Sequence, residues 1–150
     1  MVAWTRQIYI RRRKSNHLFR ERKWKEARGV GFIIEKATAK CVLRYNPINE
    51  RIMTVRLQGH PMNISIIQVY APTADAPEKE ITDFYEMVQG VVDSIPKKDF
   101  LIIFGDWNAK IGITREKSEF IGNYGLGIRN ERGDRLEEFC VANSFIIGNS

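Results

Sequence analysis

Hydrophobic and polar positions alternate in short runs from Gly29 onward. Gly-Val-Gly-Phe-Ile-Ile from Gly29, Ala39 to Arg44, Arg51 to Leu57 and Asn63 to Tyr70 read as successive short strands. They are separated by Glu-Lys-Ala-Thr, Tyr-Asn-Pro-Ile-Asn-Glu and Gln-Gly-His-Pro, which carry turn residues. Connections this short favour an antiparallel meander. Within the third run, Arg51, Thr54 and Arg56 interrupt Ile52, Met53, Val55 and Leu57, which predicts one packed and one more polar face. In the fourth, Ile64, Ile66 and, past a break, Val69 and Tyr70 mark a strand that Pro72 ends.

The period then changes. Ile81, Phe84, Tyr85, Val88, Val91, Val92 and Ile95 recur at three and four, the stripe of an amphipathic helix. Asp75 with Glu78 three residues on predicts a capping-box start, and Pro96 a stop. Phe100-Leu101-Ile102-Ile103-Phe104, bounded by Asp99 and Gly105, predicts a strand buried on both faces in the middle of a covered sheet. Strand, helix, strand is a crossover unit, so the two strands should be parallel neighbours with their carboxyl ends on one edge. Tyr70, Asp106 and Asn108 would then meet at the edge where open α/β sheets place ligands. Taken alone, Gly-Asp-x-Asn only turns the chain; the partner strand is what raises its interest.

Further on, Ile113 to Asn130 is a long connection holding Tyr124-Gly125-Leu126-Gly127. It follows no strand and opens no helix directly, so it reads as a surface loop rather than a phosphate loop. Leu136, Phe139 and Cys140 predict the inner face of a short helix, and Phe145-Ile146-Ile147 a final strand.

Composition narrows the class. With 43% hydrophobic and 28% charged residues, the chain suits one globular domain with a modest core. No apolar run approaches the length of a bilayer span, and the arginine-rich amino terminus lacks a signal peptide's apolar centre, so an intracellular protein is expected. Cys41 and Cys140 make neither a disulfide framework nor a metal knuckle and read as buried free thiols. His60 lies in a turn at the far end of the strand that leads to Tyr70, on the order of 30 Å away along an extended chain. It is a poor catalytic candidate.

The net charge of +6 is uneven. Residues 1–28 hold ten Lys/Arg against two Glu, leaving fourteen basic and sixteen acidic residues elsewhere. This leader includes Arg11-Arg12-Arg13-Lys14, with Trp4, Tyr9, Phe19 and Trp24 interleaved. It reads equally as a phosphate-binding segment or nuclear address and as a solvated, poorly ordered tail. Two regions are expected: the leader, 1–28, and a domain over 29–150.

Gln-Val-Tyr-Ala-Pro-Thr, an amphipathic helix, then Ile-Ile-Phe-Gly-Asp-Trp-Asn-Ala resembles the endonuclease/exonuclease/phosphatase superfamily, and within it the apurinic-type endonuclease domains of LINE retrotransposons. Gly-Val-Gly-Phe-Ile-Ile, Tyr-Asn-Pro-Ile, Tyr-Gly-Leu-Gly and Asn-Glu-Arg-Gly belong to the same resemblance, which runs from about Gly29 to Ser150. The leader lies outside it. The resemblance implies an α/β fold, part of a four-layer αββα sandwich lacking its first and last elements. It also implies Mg²⁺-dependent phosphodiester hydrolysis in DNA.

Roles carried over by motif give Asp106 the attacking water and Asn108 and Tyr70 the scissile phosphate. Arg11, Arg12, Arg13 and Lys14 are candidate nucleic-acid contacts by their charge. The family's metal-binding Glu and its Asp-His pair have no counterpart in this sequence, so no metal ligand is assigned. A truncated domain, weakly active or inactive alone, is expected. Exposed sheet edges would then favour association with another chain. The alternatives are a non-catalytic nucleic-acid-binding remnant acting through the leader, and a small-molecule phosphatase of the same fold.

Overall fold

The computed structural model describes residues 9–11 as main chain, and residues 29–112, 119–122 and 127–148. Among the described residues the elements follow in the order β1 (Tyr9–Arg11), β2 (Ile33–Glu35), α1 (Lys36–Ala39), β3 (Val42–Pro47), β4 (Ile52–Leu57), β5 (Ile64–Tyr70), α2 (Glu78–Ser94), β6 (Phe100–Asp106) and α3 (Glu131–Asn143). The mixed α/β class expected from the sequence holds, with one four-stranded sheet in the order β3-β4-β5-β6 and a parallel β1-β2 pair. The chain divides into two compact units, one of residues 1–70 and 87–105, the other of residues 71–86 and 106–150.

In the first unit β3, β4 and β5 form the expected antiparallel meander. Val55 stands opposite Tyr45 on one side and Ile66 on the other. The meander excludes the Gly29–Ile34 run, whose Ile33–Glu35 pairs in parallel with Tyr9–Arg11 instead. The Ala39–Arg44 strand is also displaced: Lys36–Ala39 makes one helical turn, Cys41 lies in the turn after it, and extended chain begins at Val42. Cys41 is accordingly only half-buried, contrary to expectation.

Burial identifies the middle of this sheet. Ile52, Met53 and Val55 are 0%, 3% and 1% exposed, so β4 is covered on both faces. On β5 the covered face is Ser65, Ile67 and Val69, while Ile64, Ile66 and Tyr70 are half-buried. Val88 and Val91, from the second half of α2, join the buried apolar set of this unit, which also holds Val30 and Ile34.

β6 corrects the sequence reading. It ends the strand order, and Phe100 and Phe104 are about half exposed, so it is neither buried on both faces nor in the middle of the sheet among the described residues. A run of five apolar residues reports a strand; it does not report how many neighbours that strand has. Its direction is as expected. The Phe100 amide donates to the Asn63 carbonyl at 2.8 Å, where both strands begin, and the Ala71 amide donates to the Asp106 carbonyl at 2.8 Å, where both end. Start meeting start and end meeting end makes β5 and β6 parallel.

Gly105 is required at that end. Its φ is +153°, and an added Cβ would stand 2.0 Å from the Val69 carbonyl oxygen. At the opposite end, Asp99 accepts from Arg56 at 2.6 and 2.9 Å and from the Ser65 hydroxyl at 2.8 Å, tying β4 and β5 to the entry of β6. His60 is exposed, in the turn before β5.

In the second unit, the first half of α2 contributes Ile81, Phe84 and Tyr85, all buried. The helix starts at Glu78, two residues later than a box on Asp75 would set it, because Pro77 supplies the first carbonyl, accepting from Ile81 at 3.3 Å. Leu136, Phe139 and Cys140 face inward from α3 as expected. Phe145–Ile147 is no strand; it forms a single bridge between Ile147 and Ile121. α3 ends instead in a left-handed Ser144, φ 56°, and the Phe145 amide closes back on the Cys140 carbonyl at 2.8 Å.

Candidate phosphoester site

Asp106 closes β6 and is exposed; Asn108, two residues on, is half-buried. The turn between them is built from its own side chains. The Asn108 amide donates to Asp106 Oδ1 at 3.0 Å, an Asx turn. That places Asn108 at φ 49°, in the left-handed region that asparagine tolerates better than most residues. Asn108 Nδ2 then donates to the Ala71 carbonyl at 2.8 Å, fastening the turn to the residue after β5.

Trp107 is the third fastening. Its ring stacks on Tyr85 with centroids 6.0 Å apart and 29° between planes, and stands edge-on to Phe84 at 6.1 Å. Phe139 closes the cluster from α3, 5.9 Å from Trp107 and 5.6 Å from Tyr85. Burial in this apolar group raises the Tyr85 phenol well above its ordinary value, so it is neutral and structural at any physiological pH.

Downstream, the Asn-Glu-Arg-Gly element acquires a physical role. Asn130 caps α3, its side-chain oxygen accepting from the Gly133 amide at 2.9 Å and from the Lys110 amide at 2.9 Å. Its own amide donates to the Lys110 carbonyl at 3.1 Å. Gly133 lies against the same peptide: an added Cβ would be 2.1 Å from the Lys110 oxygen. In the sequence these residues belong to the family resemblance and carry no role of their own. An asparagine three residues before a glycine at a helix start was the available signal.

Tyr70 ends β5 in the first unit. Its amide donates to the Arg51 carbonyl at 2.8 Å, and the Arg51 guanidinium carbon stands 5.7 Å from its ring centroid. Arg11 lies in β1, placed there as main chain. Arg12, Arg13, Lys14 and Tyr124 to Leu126 lie outside the described residues.

Among the described residues no group of three or more His, Cys, Asp or Glu side chains gathers where it could hold a metal. Mg²⁺ asks for near-octahedral oxygen ligation with one or two carboxylates and bound substrate or water. Asp106 is one exposed carboxylate at the strand end, the kind of single ligand that substrate and water would complete.

The chain is similar in sequence to two known proteins that share one name. It is similar to craniofacial development protein 2 of Bos taurus, 45% identical over 122 residues, which are 81% of this chain and 20% of that protein. Its likeness to craniofacial development protein 2 of Tragulus javanicus is 43% over 122 residues, 81% of this chain and 21% of the relative. The chain thus spans about a fifth of the length of these relatives. Among solved structures it is similar to the endonuclease domain of TRAS1, a telomere-specific non-LTR retrotransposon, with a TM-score of 0.44 and 25% identity, covering 63% of this chain and 36% of that one. No family model matches the chain. Among the described residues, no helix is long and apolar enough to cross a membrane.

Proposed function

We propose that the chain is the central part of a retrotransposon-derived, endonuclease-like domain whose Asp106–Asn108 turn addresses a phosphodiester of DNA, and that alone it cuts weakly or not at all. The observation that carries this reading is the fixed turn. An exposed carboxylate and a carboxamide are held at a parallel strand's end by the bond from the Asn108 main-chain amide to Asp106, the carboxamide's bond to Ala71 and a stacked Trp107. An asparagine amide has two N–H donors. One is committed to the Ala71 carbonyl, and the other is the donor for a non-bridging phosphate oxygen.

Asp106 would orient or deprotonate a water in line with the leaving oxygen. Tyr70 enters the reading through its Tyr-Ala-Pro motif, as a second phosphate contact. A divalent cation would supply charge compensation in the family reaction. Asp106 would offer it one carboxylate, and further oxygen ligands would come from the substrate phosphate, from water or from another chain. The basic leader favours a DNA partner and a nuclear location through its ten Lys/Arg.

The test is nicking of supercoiled plasmid with Mg²⁺ or with chelator, beside Asp106→Ala, together with amide shifts on titrating a short DNA duplex. Slight or absent nicking, abolished by the substitution wherever it occurs, with shifts at Asp106 to Asn108, supports the proposal. Nicking that Asp106→Ala leaves intact, or a duplex that moves only other amides, defeats it. Binding without either signal at the turn would favour a non-catalytic remnant acting through the leader.

A further inference from the structure

Arg51 is a charged residue buried in its unit, 8% exposed, and several of its contacts converge on Tyr70. β4 and β5 pair at Ile52 and Val69, so Arg51 and Tyr70 are the next cross-strand neighbours, joined by the 2.8 Å bond from the Tyr70 amide to the Arg51 carbonyl. The Arg51 side chain then folds back. Its Nη1 donates to the Tyr70 carbonyl at 3.4 Å, and its Cζ stands 5.7 Å from the Tyr70 ring centroid. One residue thus holds the main chain of Tyr70 on both its amide and carbonyl sides and lays a cation against its ring.

An apolar residue would fill the same space without desolvating a guanidinium, so packing alone does not account for an arginine here. What the arginine adds is a fixed ring. A tyrosine at a strand end otherwise exchanges between staggered χ1 wells, and its hydroxyl sweeps several ångströms with each exchange. A planar cation on the ring face, itself tethered to the carbonyl of the same tyrosine, selects one of them. We infer that Arg51 is a positioning residue that sets the Tyr70 ring so that its hydroxyl meets a phosphate oxygen. This rests on the reading of Tyr70 as a phosphate contact given above, and the experiment separates the two.

The experiment uses the full chain, with the Tyr70 ring observed by NMR, and a 12-base-pair DNA duplex as probe in about 0.2 M salt, which screens contacts made by the leader. Arg51→Leu should shift the Tyr70 ring resonances and collapse them toward averaged values, while Arg51→Lys should restore part of the shift. Arg51→Gln, which keeps a donor but no charge, replaces Arg51→Leu if that variant does not fold. Arg51→Leu and Tyr70→Phe should each weaken duplex binding by roughly fivefold, and the double variant should be no weaker than the worse single one.

Ring resonances unchanged in Arg51→Leu overturn the inference. So do losses that multiply in the double variant, because Arg51 would then act on the duplex by itself. Tyr70→Phe binding as tightly as the parent defeats the phosphate reading of Tyr70 and the functional half of this inference, whereas the ring resonances still decide whether Arg51 fixes the ring.

Discussion

Asn130 and Lys110 are joined twice: the Lys110 amide donates to the Asn130 side-chain oxygen at 2.9 Å, and the Asn130 amide returns a bond to the Lys110 carbonyl at 3.1 Å. The same side-chain oxygen caps α3 through Gly133. Asn130→Ala removes two acceptor contacts at once and should destabilise the chain by about 1–2 kcal/mol. Both contacts use the oxygen alone, so Asn130→Asp should keep most of that stability. Urea unfolding at unchanged m-value measures the difference.

The cluster at the entry of β6 predicts an acid limb in the stability profile. Two hydrogen bonds from Arg56, then one from Ser65, hold the Asp99 carboxyl below its ordinary value, although its burial works against them. A depressed folded value means the stabilisation is complete above the unfolded carboxylate pKa and is lost as pH falls toward the folded one. Asp99→Asn should therefore be less stable than the parent at neutral pH, and the gap should narrow between about pH 5 and about pH 3. Thermal melts across that range would show it; a gap of constant size would mean Asp99 is not the titrating group.

The two thiols should behave differently. Burial first, then the negative charge of Glu137, pushes the Cys140 thiol up to about 11, so almost none is thiolate near neutrality. Cys41 is half-buried in the turn after α1. A thiol reagent at about pH 8 should modify Cys41 in the folded chain and leave Cys140 untouched until denaturant is added. Mass spectrometry of the two peptides distinguishes the sites.

What could be read from the sequence follows the range of each interaction. β4, β5, α2 and α3 were legible because a period of two or 3.6 is local and Ile52, Val69, Val88 and Phe139 repeat it. Neighbour number is not local, so the apolar run of β6 was read as a doubly covered strand although Phe100 and Phe104 are half exposed. Phe145 to Ile147 failed similarly, since three apolar residues do not say whether a ladder awaits them. The α2 start was misplaced because Asp75 looked like a cap while Pro77 supplied the carbonyl.

The candidate site divides along the same line. Asp106 and Asn108 announce themselves by residue type at a strand end, and their Asx turn spans two residues. The groups that hold the two ends of the motif reach across 19 and 20 positions, Arg51 to Tyr70 and Lys110 to Asn130. Nothing in local pattern pairs such residues; folding does. Hence the polar residues at the strand end were legible and the contacts that hold them were not.

Trp107 tests how much of the turn depends on that support. It sits between the two candidate residues, half-buried, with Phe84, Tyr85 and Phe139 within about 6 Å of its ring centroid. Trp107→Ala should destabilise the chain by about 2–3 kcal/mol, less than for a wholly enclosed ring. Trp107→Phe, which preserves an aromatic partner for Tyr85, should lose about half as much. If Trp107 serves only the core, both variants that remain folded will keep the 3.0 Å bond from the Asn108 amide to Asp106, seen as unchanged hydrogen exchange at that amide. If it fixes the turn, the Asn108 amide should exchange roughly tenfold faster in Trp107→Ala than in the parent, beyond what global unfolding allows. The ring contacts on both sides of α2 and α3 favour the second result, because a turn carrying an exposed carboxylate has little else apolar to hold it.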